Sequence, residues 1–196
     1  MTLRTLLCTL ALLATSAAFA ALKAGDPAPA FSAPASLAGK PFTYSLKDGL
    51  TKGPVVVYFY PSAYTSGCNI QAHEFSSRAD QFAAAGATVI GVSRDSIARL
   101  NAFSSDPQYC AGKIPVASDA DGSIAKAFDL KSNAGKPGMK DSRGEDIDHD
   151  FTERTTFVIK QDHTIAATFS SADDKITPAQ HVEKSLAAVQ ELKGSK

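Results

Sequence analysis

The segment PVVVYFYPSAYTSGC, residues 54–68, limits the fold of this 196-residue chain more than any other stretch. Val55 to Tyr60 is apolar, β-branched or aromatic at every position, as expected of a strand covered on both faces and lying at the centre of a sheet. Pro61 interrupts it, Thr65 and Ser66 are N-cap types, and Cys68, Ala72, Phe75, Ala79 and Phe82 recur at helical spacing until Gly86 can end the helix. The order is therefore strand, turn, helix, with a cysteine in the first helical turn. A thiol becomes a nucleophile by losing its proton, and unpaired N–H groups at the positive end of a helix favour the charged form. Cys68 is the leading candidate for chemistry.

Strand and helix patterns alternate through the rest of the chain. Residues 26–39 are rich in Ala and Pro and read as extended, followed by a short strand at 41–46. ATVIGVS (87–93) reads as a second buried strand, and Ile97, Leu100 and Phe103 mark a helix. A short strand at 114–117 and a short helix at 123–128 follow. Residues 157–159 and 164–169 flank Gln161-Asp162-His163 as a hairpin, and Thr177-Pro178 opens a last helix with Val182, Leu186, Val189 and Leu192 on one face, ending before Gly194. Residues 131–153 show neither period and read as a long surface loop leading to Arg154, of a length that is usually functional or mobile in a compact domain. The pattern is that of an α/β sandwich: a central mixed sheet with helices on both faces.

Residues 1–20 carry Arg4, then the apolar run LLCTLALLATSAAFA, ending Ala18-Phe19-Ala20. A positive start, an apolar run too short to span a bilayer comfortably and an A-x-A pattern predict a secretory signal peptide, the other reading being a retained membrane anchor. Cys8 would leave with the signal. Residues 21–196 then form one domain, exported and periplasmic, with no membrane segment. Lys plus Arg and Asp plus Glu each number 20, and this balance, without a basic patch, gives no support for nucleic-acid binding. Cys68 and Cys110 remain in an oxidising compartment, where they can pair in a structural bridge or in a catalytic cycle.

Pro61, Thr65 and Cys68 fit the pattern P-x-x-x-T-x-x-C, which resembles the active-site signature of the peroxiredoxins. The resemblance extends through GDPAPAF (25–31), IPVASDADGSIAKAFDL (114–130) and RTTFVI (154–159), in order, and is closest to the bacterioferritin comigratory (Q-type) branch. It implies a thioredoxin-like fold and a thiol peroxidase acting on hydrogen peroxide and small organic hydroperoxides. The thiol reductant would be external, a thioredoxin- or glutaredoxin-like protein or a small thiol. In such an enzyme Cys68 becomes a sulfenic acid, Arg154 stabilises the sulfur and the departing oxygen, Thr65 orients substrate, and Pro61 fixes the loop and shields the sulfur. No haem, flavin or nicotinamide signature is present, and no cofactor is expected.

Two positions depart from that branch. His73 stands where a second cysteine is found five residues after the first, which leaves Cys110 as the expected resolving residue, the alternative being a buried, inert thiol. Gln71 stands where Glu is frequent and is expected to support the site by hydrogen bonding without charge. His73 itself reads as a helix-surface residue. His149, amid Asp146, Asp148 and Asp150, reads as part of a solvated charged stretch and not as a metal site. Gly135, Gly138 and Gly144 lack phosphate-loop spacing. Two other functions remain open on the same fold: a disulfide carrier, although Cys68 is followed by Asn69, Ile70 and Gln71 without a C-x-x-C, and a non-enzymatic binding or chaperone protein.

Overall fold

The computed structural model describes residues 21–195, so the expected signal segment lies outside the described residues. Its strands are β1 Ser32–Leu37, β2 Lys40–Ser45, β3 Val55–Phe59, β4 Thr88–Ser93, β5 Val116–Ser118, β6 Ser132–Asn133, β7 Phe151–Thr152, β8 Thr155–Ile159 and β9 Ile165–Ser170. The helices are α1 Leu46–Leu50, α2 Ser66–Ser77, α3 Ala79–Ala84, α4 Ile97–Ser105, α5 Ser123–Ala127, α6 Ser171–Asp174 and α7 Pro178–Gly194. Seven strands make one sheet in the order β2-β1-β5-β4-β3-β8-β9, while β6 and β7 pair separately.

β3 is buried at all its positions, as its unbroken apolar run requires, and lies one place from the middle strand, β4. It pairs parallel with β4 and antiparallel with β8. Because side chains alternate across a strand, Val56 and Tyr58 join the core under α2, α4 and α7, whereas Val55, Val57 and Phe59 join the core under α1 and α5. Tyr60 continues the first set, stacking on Tyr58 with ring centroids 5.4 Å apart. Gly91, in the middle of β4, lies beneath Tyr58: a Cβ there would stand 2.6 Å from the phenol Cζ. The strand is glycine at this point because the neighbouring ring occupies the space.

Three local expectations are corrected. Residues 32–37, read only as extended, form β1 and pair with β2 through the two-residue turn Ala38-Gly39, both at positive φ, the geometry that matches strand twist. The helix expected to run from Cys68 to Phe82 breaks at Arg78 (φ −107°, ψ 11°). Just before the break the Ser76 hydroxyl donates to the His73 and Tyr109 carbonyls and Ser77 to the Glu74 carbonyl, competing with the helical ladder. Phe75 and Phe82 still share a face, 5.6 Å apart. Residues 131–153 are not a featureless surface loop: the β6–β7 ladder pinches the base, and Asp141 and Ile147 are buried.

α7 begins as its sequence demands, Thr177 and Gln180 forming a reciprocal capping box ahead of Pro178. It runs through Gly194. Among the described residues no helix is long and apolar enough to cross a membrane.

Candidate active site

The catalytic-type residues meet where β3 leaves the sheet. Tyr60 N–H donates to the Val92 carbonyl, prolonging the β3–β4 ladder by one residue, and the chain then turns through Pro61 to Tyr64. Tyr64 has φ +61°, a conformation costly for a bulky side chain, and Thr65 returns to extended geometry as the N-cap of α2. The Thr65 carbonyl accepts from Asn69 N–H at 2.8 Å, opening the helix. Its hydroxyl does not cap, as its residue type suggested, but donates to the Ser62 carbonyl at 2.8 Å and so braces the turn.

Cys68 is the third residue of α2, within the turn whose N–H groups have no helical partner, and is 2% exposed. Arg154 ends the loop before β8, and the pairing of Phe59 with Thr155 brings it to the same end of β3. Its Nη2 donates to Cys68 Sγ at 3.2 Å and its Nη1 to Gln71 Oε1. Gly67 makes the approach possible, since a Cβ there would stand 3.2 Å from Arg154 Nη2 and 3.4 Å from Pro178 Cγ. Cys68, Arg154 and the fully buried Gln71 thus form one hydrogen-bonded row, with the turn containing Pro61 and Thr65 beside it.

Cys110 is free and fully buried in the same apolar cluster as Cys68 and Tyr58. Burial, assisted by the charge of Asp106, pushes its thiol well above the ordinary range. His73 is exposed, as its position suggested, and its Nδ1 lies 3.1 Å from the Gln108 carbonyl in the segment leading to Cys110.

The profile of the AhpC/TSA family matches residues 24–168. The chain belongs to the AhpC/TSA family. It is 30% identical over 166 residues to peroxiredoxin Bcp of Xanthomonas campestris, covering 83% of this chain and 91% of that one. Among solved structures it is similar to peroxidoxin BcpB from Mycobacterium tuberculosis, with a TM-score of 0.71 and 29% identity over 87% of this chain and 98% of the other. A structure concerned with alkyl peroxide reduction by the X. campestris bacterioferritin comigratory protein aligns with a TM-score of 0.62 and 28% identity, over 82% and 91% of the two chains. The fold is thus the thioredoxin-like α/β fold of these AhpC/TSA proteins.

Around the site, this AhpC/TSA member carries a buried ionic network absent from the sequence reading. Asp95, after β4, is fully buried and accepts from Ala63 N–H at 2.7 Å, the Ser62 hydroxyl at 3.0 Å and the Ser93 hydroxyl at 2.7 Å. It also faces Arg99 Nε at 2.9 Å and His149 Nε2 at 3.0 Å. Burial alone would raise the Asp95 pKa, but the hydrogen bonds from His149, Ala63 and Ser93 outweigh it and hold the carboxyl below its ordinary range. Burial likewise pulls His149 down, and its bond to Asp95 overcomes this, so that its pKa is raised. His149 is therefore not part of a solvated stretch: its side chain is 11% exposed, with Nε2 on buried Asp95 and Nδ1 2.8 Å from the Asp150 carbonyl. Among the described residues no cluster of three or more His, Cys, Asp or Glu side chains is disposed to hold a metal ion.

Arg99 extends the network to Asp141 at 2.6 Å, which also binds Arg143 at 2.8 Å. Arg143 lies over the Tyr64 ring, 3.4 Å from its centroid, and Ser142 N–H donates to the Tyr64 carbonyl. Tyr60 is core, and Tyr64 packs against Phe103, Tyr109 and Arg143. No short motif announces these contacts, and the only sequence signal was the length of the 131–153 loop.

Behind Arg154, fully buried His181 on α7 bridges Thr156 Oγ1 at 3.0 Å and Ser171 Oγ at 2.9 Å. Burial, and secondarily the charge of Arg154, lowers its pKa from 6.5 to about 4. Between these values the unfolded chain binds the extra proton. The stabilisation is therefore complete above about pH 6.5, falls as pH drops and is gone below about pH 4, a total of about 3 kcal/mol. Urea unfolding of the wild type and of His181→Gln at pH 7 and pH 4 is expected to show a much steeper acid loss in the wild type; parallel losses would contradict the assignment.

Proposed function

We propose that this protein is a thiol peroxidase in which Cys68 is the peroxidatic residue. The reading rests chiefly on one observation: a cysteine in the first turn of α2 with an arginine Nη2 3.2 Å from its sulfur. In the reaction the Cys68 thiolate attacks one oxygen of the peroxide. An S–O bond forms as the O–O bond breaks, sulfur is oxidised by two electrons, and the departing hydroxide or alkoxide takes up a proton. Charge grows on that departing oxygen, so donors fixed in advance lower the barrier. The Arg154 guanidinium supplies such donors and is held in place by Gln71. Thr65 and Pro61 shape the turn against which the peroxide lies. The known activity of the X. campestris bacterioferritin comigratory protein supports alkyl hydroperoxides, beside hydrogen peroxide, as the substrate class.

Cys110 is proposed as the resolving residue. Its thiol would condense with the Cys68 sulfenic acid, forming an S–S bond and releasing water, and an external thiol would then reduce the disulfide by exchange. A fully buried thiol with a raised pKa is a poor nucleophile, so the segment around Cys110 must open before it reacts. The ties that must loosen are the His73 contact to the Gln108 carbonyl and the Ser76 hydroxyl bond to the Tyr109 carbonyl. We further propose export, with residues 1–20 as the leader, into a compartment where an external thiol system maintains the reduced form.

Anaerobic reduction followed by one equivalent of peroxide, with intact mass and a non-reducing digest, tests both steps. Wild-type protein is expected to yield a peptide pair joining Cys68 and Cys110. The Cys110→Ser variant is expected to complete one turnover, accumulate sulfenic acid and overoxidise more readily. A trappable sulfenic acid in the wild type with no linked peptides would replace this scheme with a one-cysteine cycle.

A further inference from the structure

The Asp95 carboxylate stands between two parts of the molecule that have no common sequence feature. On one side is the peroxidatic turn, which contributes Ala63 N–H and the Ser62 hydroxyl. On the other are α4 and the 131–153 loop, which contribute Arg99 and His149. The Ala63 N–H, the Ser62 hydroxyl and the His149 imidazole face the carboxylate as donors, and Arg99 faces it as an ion pair through Nε at 2.9 Å. Oδ2 is shared by Ala63 and the Ser93 hydroxyl, and Oδ1 by Ser62, His149 and Arg99. Ser62 and Ala63 lie directly between Pro61 and Tyr64, and the Ser62 carbonyl is the acceptor for the Thr65 hydroxyl.

We propose that Asp95 is a positioning residue for peroxide reduction, fixing the Pro61–Thr65 turn, and that His149 completes this clamp from the 131–153 loop. Asp95 touches neither Cys68 nor Arg154. It acts by holding two successive residues of the turn from below, while Arg99 Nη2 donates to the Ala63 carbonyl at 3.1 Å and Ser142 N–H to the Tyr64 carbonyl at 2.9 Å. These bonds hold Tyr64 in its left-handed backbone conformation, from which the chain enters α2 at the orientation that sets Cys68 against Arg154. A buried carboxylate with several donors is costly to disturb, because any donor left without an acceptor bears its full desolvation penalty.

An asparagine at this position has one acceptor oxygen, and its NH₂ must face either the Ala63 N–H or Arg99, neither of which can accept. Asp95→Asn is therefore expected to let the turn shift. Displacement of catalytic groups by about 1 Å costs up to about a hundredfold in rate, and a loss of about tenfold to a hundredfold in the second-order reaction with hydrogen peroxide is expected. His149→Leu removes one donor and leaves the carboxylate its others, so it is expected to fold and to show a smaller loss in the same direction. His149→Gln retains an amide donor and is expected to restore a rate close to wild type.

The inference rests on peroxide reduction at Cys68, which the wild-type protein tests independently in the same stopped-flow measurement. For each variant the peroxide rate is set against the rate at which iodoacetamide alkylates Cys68, followed by peptide mass, and against urea unfolding. A positioning role predicts that the peroxide rate falls more than the alkylation rate, since alkylation needs the sulfur but not donors aimed at a departing oxygen. Wild-type peroxide rates in Asp95→Asn and His149→Leu would overturn the proposal. So would equal losses of both rates, or a His149→Gln variant as slow as His149→Leu.

Discussion

Serine in place of Cys68 is expected to abolish peroxide consumption while leaving the fold intact. The hydroxyl occupies almost the volume of the thiol and can still accept the Arg154 Nη2 hydrogen bond seen at Sγ, so the half-buried guanidinium keeps a partner. What is lost is the ionisable, polarisable nucleophile, and an unactivated hydroxyl does not replace it. The stability change should be within about 1.5 kcal/mol, the ordinary net worth of one hydrogen bond. Peroxide decay by stopped flow and a thermal melt are the measurements. Unchanged turnover in the serine variant would overturn the assignment of the peroxidatic residue.

The second large effect is expected at Arg154. The side chain divides its fork between two groups, Nη2 to Cys68 and Nη1 to Gln71. Arg154→Met removes charge and donors together and should slow the single-turnover reaction with peroxide by about a hundredfold or more. It also leaves Gln71, fully buried, without that donor, at a cost of about 1–3 kcal/mol in stability. Arg154→Lys keeps the charge, but an ammonium lacks the planar fork and cannot match both partners in the same geometry. It should be slow, though less so than methionine. If both variants react at the wild-type rate, Arg154 holds Gln71 and α7 in place and takes no part in chemistry.

The parts of this site legible in the sequence are those in which chemistry and local structure coincide. Cys68 is apparent because an unbroken apolar strand, a proline-bearing turn and a helix start succeed one another within fifteen residues. Arg154, just before a second apolar strand, and Gln71, three residues after Cys68, stand out only through the resemblance to the peroxiredoxins. Asp95 and His149 are not legible in this way: 54 residues separate them, and each sits in sequence that reads as ordinary surface. The aspartates beside His149 suggested a solvated run, yet the imidazole turns inward while Asp146 and Asp148 stay exposed.

The same distinction applies to the fold. β3 and β4 carry large β-branched and aromatic side chains and were readable. β1 buries only Ala33, Ala35 and Ser36, whose small side chains give little hydrophobic alternation. The break at Arg78 depends on the Ser76 hydroxyl finding a carbonyl 33 residues away, which no local pattern encodes.

Gly91 gives the sheet a different kind of significance for the chemistry. Its missing side chain is filled by the ring of Tyr58, and that ring stacks on Phe75 of the peroxidatic helix, 4.4 Å away. Volume at one backbone position of β4 is therefore transmitted, through two aromatic rings in face contact, to the helix that carries the reactive sulfur. A methyl group added there would act as a wedge at a distance, pressing on the Tyr58 ring and hydroxyl and altering the site mechanically. The tolerance of this enzyme to mutation is thus set partly by a residue with no side chain, on a strand that carries none of Cys68, Gln71 and Arg154.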